Sequence, residues 1–99
     1  MLVHSVFFWL KPGLSRADRA AFRKGLETLR GIKTVEQMFI GAPAATMERG
    51  VIDKSYDFAL TVLFTGVPAQ DVYQADPLHQ AFLADFSRMW TKVVVYDAE

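Results

Sequence analysis

The chain has two histidines, and one of them stands in ADPLHQAF, residues 75–82, where a helix pattern asks for an apolar side chain. A neutral imidazole can take a proton from an acidic C–H or O–H, or hydrogen-bond a developing oxyanion. A phenol can donate to the same substrate oxygen, which together meets the needs of enolisation and ring closure. His79 and Tyr73 are the candidates for such an acid/base pair. With Asp76 as N-cap and Pro77 at the first helical position, His79 falls in the first turn, where the positive helix end disfavours an imidazolium. At about 100° per residue, Leu78, Phe82, Phe86, Met89 and Trp90 share one arc, and His79 lies within it, so its ring is predicted to face inward.

Each of these residues also has a reading that needs no chemistry. His79 can be a buried histidine whose nitrogens bond backbone carbonyls; His4, alone on an apolar strand face, can be the same. Tyr73 can bury its ring and send its hydroxyl to a polar partner. If a cavity lies between sheet and helices, the side chains expected to contact a ligand there are His4, Val6 and Phe8 on the first strand, Phe22 on the first helix, Phe58 and Leu60 on the third strand, and Phe82 and Phe86 on the last helix.

Several function classes fall away. The absence of cysteine removes disulfides, thiolate catalysis and Cys-based metal sites. Two histidines far apart, with no HxH or HExxH spacing, give no metal cluster. Glycine-rich phosphate loops and a GxSxG elbow are absent, so no cofactor is expected. Eleven basic residues balance eleven acidic ones, which gives no pull toward nucleic acid or anionic lipid. The apolar start MLVHSVFFWL lacks a basic leader and is closed by Lys11-Pro12-Gly13 after too few residues to cross a bilayer, so no membrane partner and a cytoplasmic location are expected.

The elements that must hold these residues follow from periodicity. Residues 2–10 alternate, with Leu2, His4, Val6, Phe8 and Leu10 on one face and Val3, Ser5, Phe7 and Trp9 on the other. Ser15 and Asp18 have capping-box spacing, and Phe22, Leu26 and Leu29 carry a helix to about Arg30, with Gly31 as its stop and Gly25 costing about 1 kcal/mol against Ala. Residues 34–41 make a second strand, followed by a connection to Lys54 that is long for a hairpin. A third strand, residues 55–65, places Tyr56, Phe58, Leu60, Val62 and Phe64 on one face. A short helix from Pro68 to Ala75, a longer one from Asp76-Pro77 to about Trp90, and a strand over 92–96 complete a single domain of order βαββαβ.

This is an α+β, ferredoxin-like antiparallel sheet with helices on one face. A chain that is 52 % hydrophobic, with one helical layer, leaves the second sheet face apolar and uncovered. Pairing two sheets into a dimeric α+β barrel removes that patch, so a symmetric homodimer is expected.

The segments VHSVFFWLKPG, DKSYDFAL, DPLHQAF and WTKVVVYD, in this order and spacing, resemble the stress-responsive A/B barrel (Dabb) family of the dimeric α+β barrel superfamily. The resemblance spans essentially the whole chain. It implies a homodimer with a small apolar or polyketide-like molecule held between sheet and helices. One plant member closes a polyketide ring by cofactor-free aldol chemistry, and its working Tyr and His fall on Tyr73 and His79, its first-strand His on His4. Its third-strand His is replaced by Phe58, and Asp76 stands where relatives commonly have His. The resemblance therefore leaves a cofactor-free cyclase or isomerase, a binding protein and a purely structural stress-associated dimer side by side. An RNA-recognition reading of KSYDFALT fails because Asp57 and Thr61 break its strand motif and the chain lacks phosphate-binding charge.

Overall fold

The computed structural model describes all residues, Met1–Glu99. Its elements are β1 (Leu2–Leu10), α1 (Arg16–Thr28), β2 (Gln37–Gly41), β3 (Phe58–Phe64), α2 (Val67–Ala75), α3 (Pro77–Phe86) and β4 (Trp90–Ala98), with single 3-10 turns at Leu29–Gly31 and Ser87–Met89. The strands form one sheet in the order β2-β3-β1-β4. All three pairings are antiparallel, which gives the ferredoxin-like sheet that the βαββαβ order predicts.

β1 lies at the centre, and its alternation works as expected. Leu2, His4, Val6, Phe8 and Leu10 are buried beneath the helices, while Val3, Ser5, Phe7 and Trp9 look out from the other face. Gly13, at φ 85°, makes the left-handed turn that releases the chain from β1. α1 then starts on the predicted capping box, with Asp18 N donating to Ser15 Oγ and Ser15 N donating to Asp18 Oδ2. It buries Phe22 and Leu26, and Leu29 follows in the 3-10 turn. Each such side chain contributes about 1.5–3 kcal/mol on leaving water.

The helical run begun by α1 ends at Gly31, as expected, by tightening into the 3-10 turn and without a left-handed residue, since Gly13 alone has positive φ. Three expectations are corrected. β3 begins at Phe58, so Tyr56 lies outside it and packs against Phe7 and Trp9 at ring separations of 5.0 and 6.4 Å, on the helix-free face. Asp57 breaks the alternation there: its backbone N–H donates to Phe8 O, and its carboxylate accepts from Leu10 N and from Arg19. Leu78 is 40 % exposed rather than inward. α3 stops at Phe86, which puts Met89 in the 3-10 turn and makes Trp90 the first residue of β4.

Gly25 also changes meaning. A Cβ there would stand 2.3 Å from Phe86 Cε2. The residue that weakens α1 as a helix is the one that lets α3 approach it.

Candidate functional site

α2 and α3 are nearly one helix, interrupted at Asp76. Asp76 is the N-cap of α3, its Oδ1 accepting from Leu78 N at 2.8 Å, and Pro77 follows at the first helical position. The break turns the end of α2 toward the start of α3 and brings the rings of Tyr73 and His79 to 4.8 Å, edge to face. Beneath them the β1 alternation presents His4, whose ring lies 5.9 Å from that of Tyr73. Three residues separated in sequence thus meet over the centre of the sheet.

They line a cavity of about 190 Å³ between the helices and the β1–β4 side of the sheet. Of the expected contact residues, His4, Val6, Phe8, Leu60, Tyr73, His79 and Phe82 reach it. Phe22, Phe58 and Phe86 do not line it. They pack together under α1 instead, with Phe22 5.4 Å from Phe58 and 5.9 Å from Phe86, ring to ring, and the Arg19 guanidinium over Phe58. The remaining wall comes from residues not expected there, notably Gln74 and Leu83, with Trp90, Val93 and Val95 of β4. Val93 and Val95 are half-exposed, so the cavity opens along that edge of the sheet.

The electrostatics are those of an apolar chamber with one polar end. His79 is 9 % exposed, and its Nδ1 is buried without a hydrogen-bond partner. Burial, and next the neighbouring His4, lower its pKa from the usual 6.5, against a smaller opposing pull from Asp76. A neutral imidazole was expected from the helix end; desolvation is the larger cause. Burial likewise pushes the Tyr73 phenol above its ordinary value, so it holds its proton and acts as a donor.

His4 has a partner that the sequence reading missed. Its Nδ1 lies 2.5 Å from Asp97 Oδ1, because β1 and β4 pair in a register that sets His4 opposite Asp97. In the neutral ring, a proton held on Nδ1 by the carboxylate leaves Nε2 as the lone-pair nitrogen. Asp97 was legible only in principle: it required β4 to run past Tyr96 and the register to be fixed.

A second hollow, of about 220 Å³, lies on the helix-free face among Phe7, Trp9, Tyr56, Lys92 and Tyr96. The Lys92 ammonium sits 4.5 Å from the Trp9 ring centre, and the Trp9 indole donates to Ser55 Oγ. Elsewhere, no group of three or more acidic or histidine side chains is arranged to hold a metal, and no helix is long and apolar enough to cross a membrane.

A sheet ordered β2-β3-β1-β4, with three helices and a cavity walled by histidines between the layers, defines a ferredoxin-like α+β domain. The chain belongs to the Stress responsive A/B Barrel Domain family, whose model matches residues 2–99. Among curated proteins none matches it significantly. Similar solved structures include a Dabb family protein with a ferredoxin-like fold from Mesorhizobium loti, 23 % identical, with a TM-score of 0.80 over 99 % of this chain and 94 % of that one. A dimeric ferredoxin-like protein of unknown function from Thermobifida fusca is 22 % identical, with a TM-score of 0.79 over 98 % and 88 %. A hydroxynitrile lyase from Passiflora edulis is 20 % identical, with a TM-score of 0.79 over 98 % and 90 %. At these identities the likeness establishes the fold alone.

Proposed function

We propose that this protein is a homodimer that holds one small apolar or polyketide-like molecule per chain, in the cavity walled by His4, Tyr73 and His79. The observation that carries the binding reading is the apolar cavity itself, into which His4, Tyr73 and His79 converge, with the Nδ1 of His79 buried behind its wall and unpartnered. Buried polar nitrogens are normally satisfied, and leaving one open costs about 1–3 kcal/mol. A ligand that draws the ring toward the cavity would remove that cost. The dimer is supported by the uncovered sheet face, where Phe39 and Tyr96 are 63 % and 65 % exposed, and by relatives described as dimeric. The hollow around Trp9 and Tyr96 would then be closed by the second copy. Sedimentation at micromolar concentration should give twice the 11.2 kDa chain mass; a single-chain mass would remove the dimer.

Binding is tested by thermal shift with a panel of small aromatic carbonyl compounds. Ligands that bind the folded wild type should stabilise it by RT ln(1 + [L]/Kd) and so raise its melting temperature, and the rise should shrink in His79→Ala and Tyr73→Phe. A rise unchanged in both variants would place the ligand elsewhere.

A second reading, cofactor-free cyclisation or isomerisation, is favoured by the His4–Asp97 pair. His4 Nε2 would take a proton from a carbon next to a carbonyl, Tyr73 would donate a hydrogen bond to the enolate oxygen that forms, and the enolate carbon would attack a second carbonyl of the same molecule, closing the ring as that C=O π bond opens and the proton passes from His4 to the new alkoxide. His79, neutral beside them, supplies the alternative base. Turnover abolished in His4→Ala or His79→Ala, with folding retained, supports this reading; binding without turnover in the wild type leaves a small-molecule carrier.

A further inference from the structure

The lining of the cavity restricts its guest in both size and charge. Its polar members are His4, Tyr73, Gln74 and His79, and none of the lining residues is lysine or arginine. The charged groups at the polar end are instead carboxylates: Asp97 on His4 Nδ1 at 2.5 Å, and Asp76, whose charge acts on His79. The positive end of α3 is already capped by the Asp76 carboxylate, so an anionic ligand would give up its hydration there and meet negative charge with no Lys or Arg in return, a costly way to bury an ion. A neutral carbonyl, amide or hydroxyl suits the same end. The phenol of Tyr73 donates to its oxygen, and the His79 imidazole at the cavity wall accepts from its O–H or N–H.

Volume sets the other limit. An apolar cavity of about 150 Å³ is enough for benzene, so the 190 Å³ here takes one ring and a short substituent. An extended acyl chain would have to run out past Val93 and Val95 into water, and gain little.

Building on the pocket reading above, we propose that the ligand class is uncharged and monocyclic: one ring with a short substituent, bearing a carbonyl, amide or hydroxyl group set between Tyr73 and His79. Carboxylates, phosphate esters and long linear chains are excluded.

The test compares three probes on the full-length wild-type protein by isothermal titration calorimetry at about pH 8, above the usual imidazole range. They are para-toluamide, para-toluate of nearly the same shape but charged, and para-octylbenzamide. The toluamide should bind about tenfold or more tighter than the toluate, and the octyl compound no tighter than the toluamide. Tyr73→Phe should weaken the toluamide by about three- to tenfold with an unchanged circular dichroism spectrum. Toluate binding as well as toluamide would overturn the charge restriction, and much tighter octyl binding the size restriction, with the pocket itself intact in both cases. Failure of all three probes to bind at millimolar concentration would overturn the pocket reading as well.

Discussion

At one end of the helix–sheet layer, α1 lies so near α3 that a Cβ on Gly25 would reach the ring of Phe86, and Phe22 is completely buried among Phe8, Phe58, Phe82 and Phe86. At the other end, the broken α2–α3 helix stands over β1 and β4 with a 190 Å³ space beneath it. The two ends share their building material, aromatic and aliphatic side chains on alternating strand positions. They differ in what sits at the closest approach. A glycine lets two helices close until nothing remains between them, while Tyr73, His79 and His4 border the remaining space and leave a nitrogen without a partner. A filled core and an open cavity are therefore separated by a few positions in one continuous layer.

That contrast can be broken first at its solid end. Phe22→Ala should lower the unfolding free energy by about 3–5 kcal/mol, a large share of the margin of a small domain, and urea unfolding should report it; a loss below about 1 kcal/mol would mean the aromatic cluster is not the core. Gly25→Ala should follow, at about 1–3 kcal/mol, despite Ala being the better helix former by about 1 kcal/mol. A stabilised Gly25→Ala would show that Phe86 swings away freely and that the close approach is not required.

The hollow end makes smaller, conditional predictions. His79 has a folded pKa below 6.5, so on acidification the unfolded chain takes up the proton first. Stability is then unaffected above that pH and falls between 6.5 and the lower folded value, because the unfolded state binds more protons in that window. His79→Gln should flatten this part of the stability profile measured by urea midpoints, and an unaltered slope would mean that the ring is not desolvated. Asp97→Asn should be the mildest, below about 1 kcal/mol, since the carboxylate side chain is 45 % exposed and an amide oxygen can still accept from His4 Nδ1. If His4 is the base, the same substitution should nevertheless lower turnover, because orientation survives while charge is lost.

What could be read without coordinates was whatever depended on local pattern. The alternation of β1, the Ser15–Asp18 box, the Asp76-Pro77 start of α3 and the inward ring of His79 all follow from spacing, and each is present. The missed features depend on distant partners. Tyr56 changes face because Asp57 is claimed by Leu10 and Arg19, Asp97 reaches His4 through a strand register that periodicity does not specify, and Gly25 matters only once Phe86 is above it. Phe22, Phe58 and Phe86 were expected around the ligand because aromatic residues on a shared face look alike in sequence; helix approach decided which ones border space.

The claim that one end of the layer is open and the other filled is tested most directly by NMR on a sample labelled with nitrogen-15 in its imidazoles and carbon-13 in its phenylalanine rings, titrated with para-toluamide. The imidazole signals of His4 and His79 should move together and saturate, while the ring signals of Phe22, Phe58 and Phe86 stay in place. Movement confined to those phenylalanines, or imidazole signals that never respond, would contradict the account.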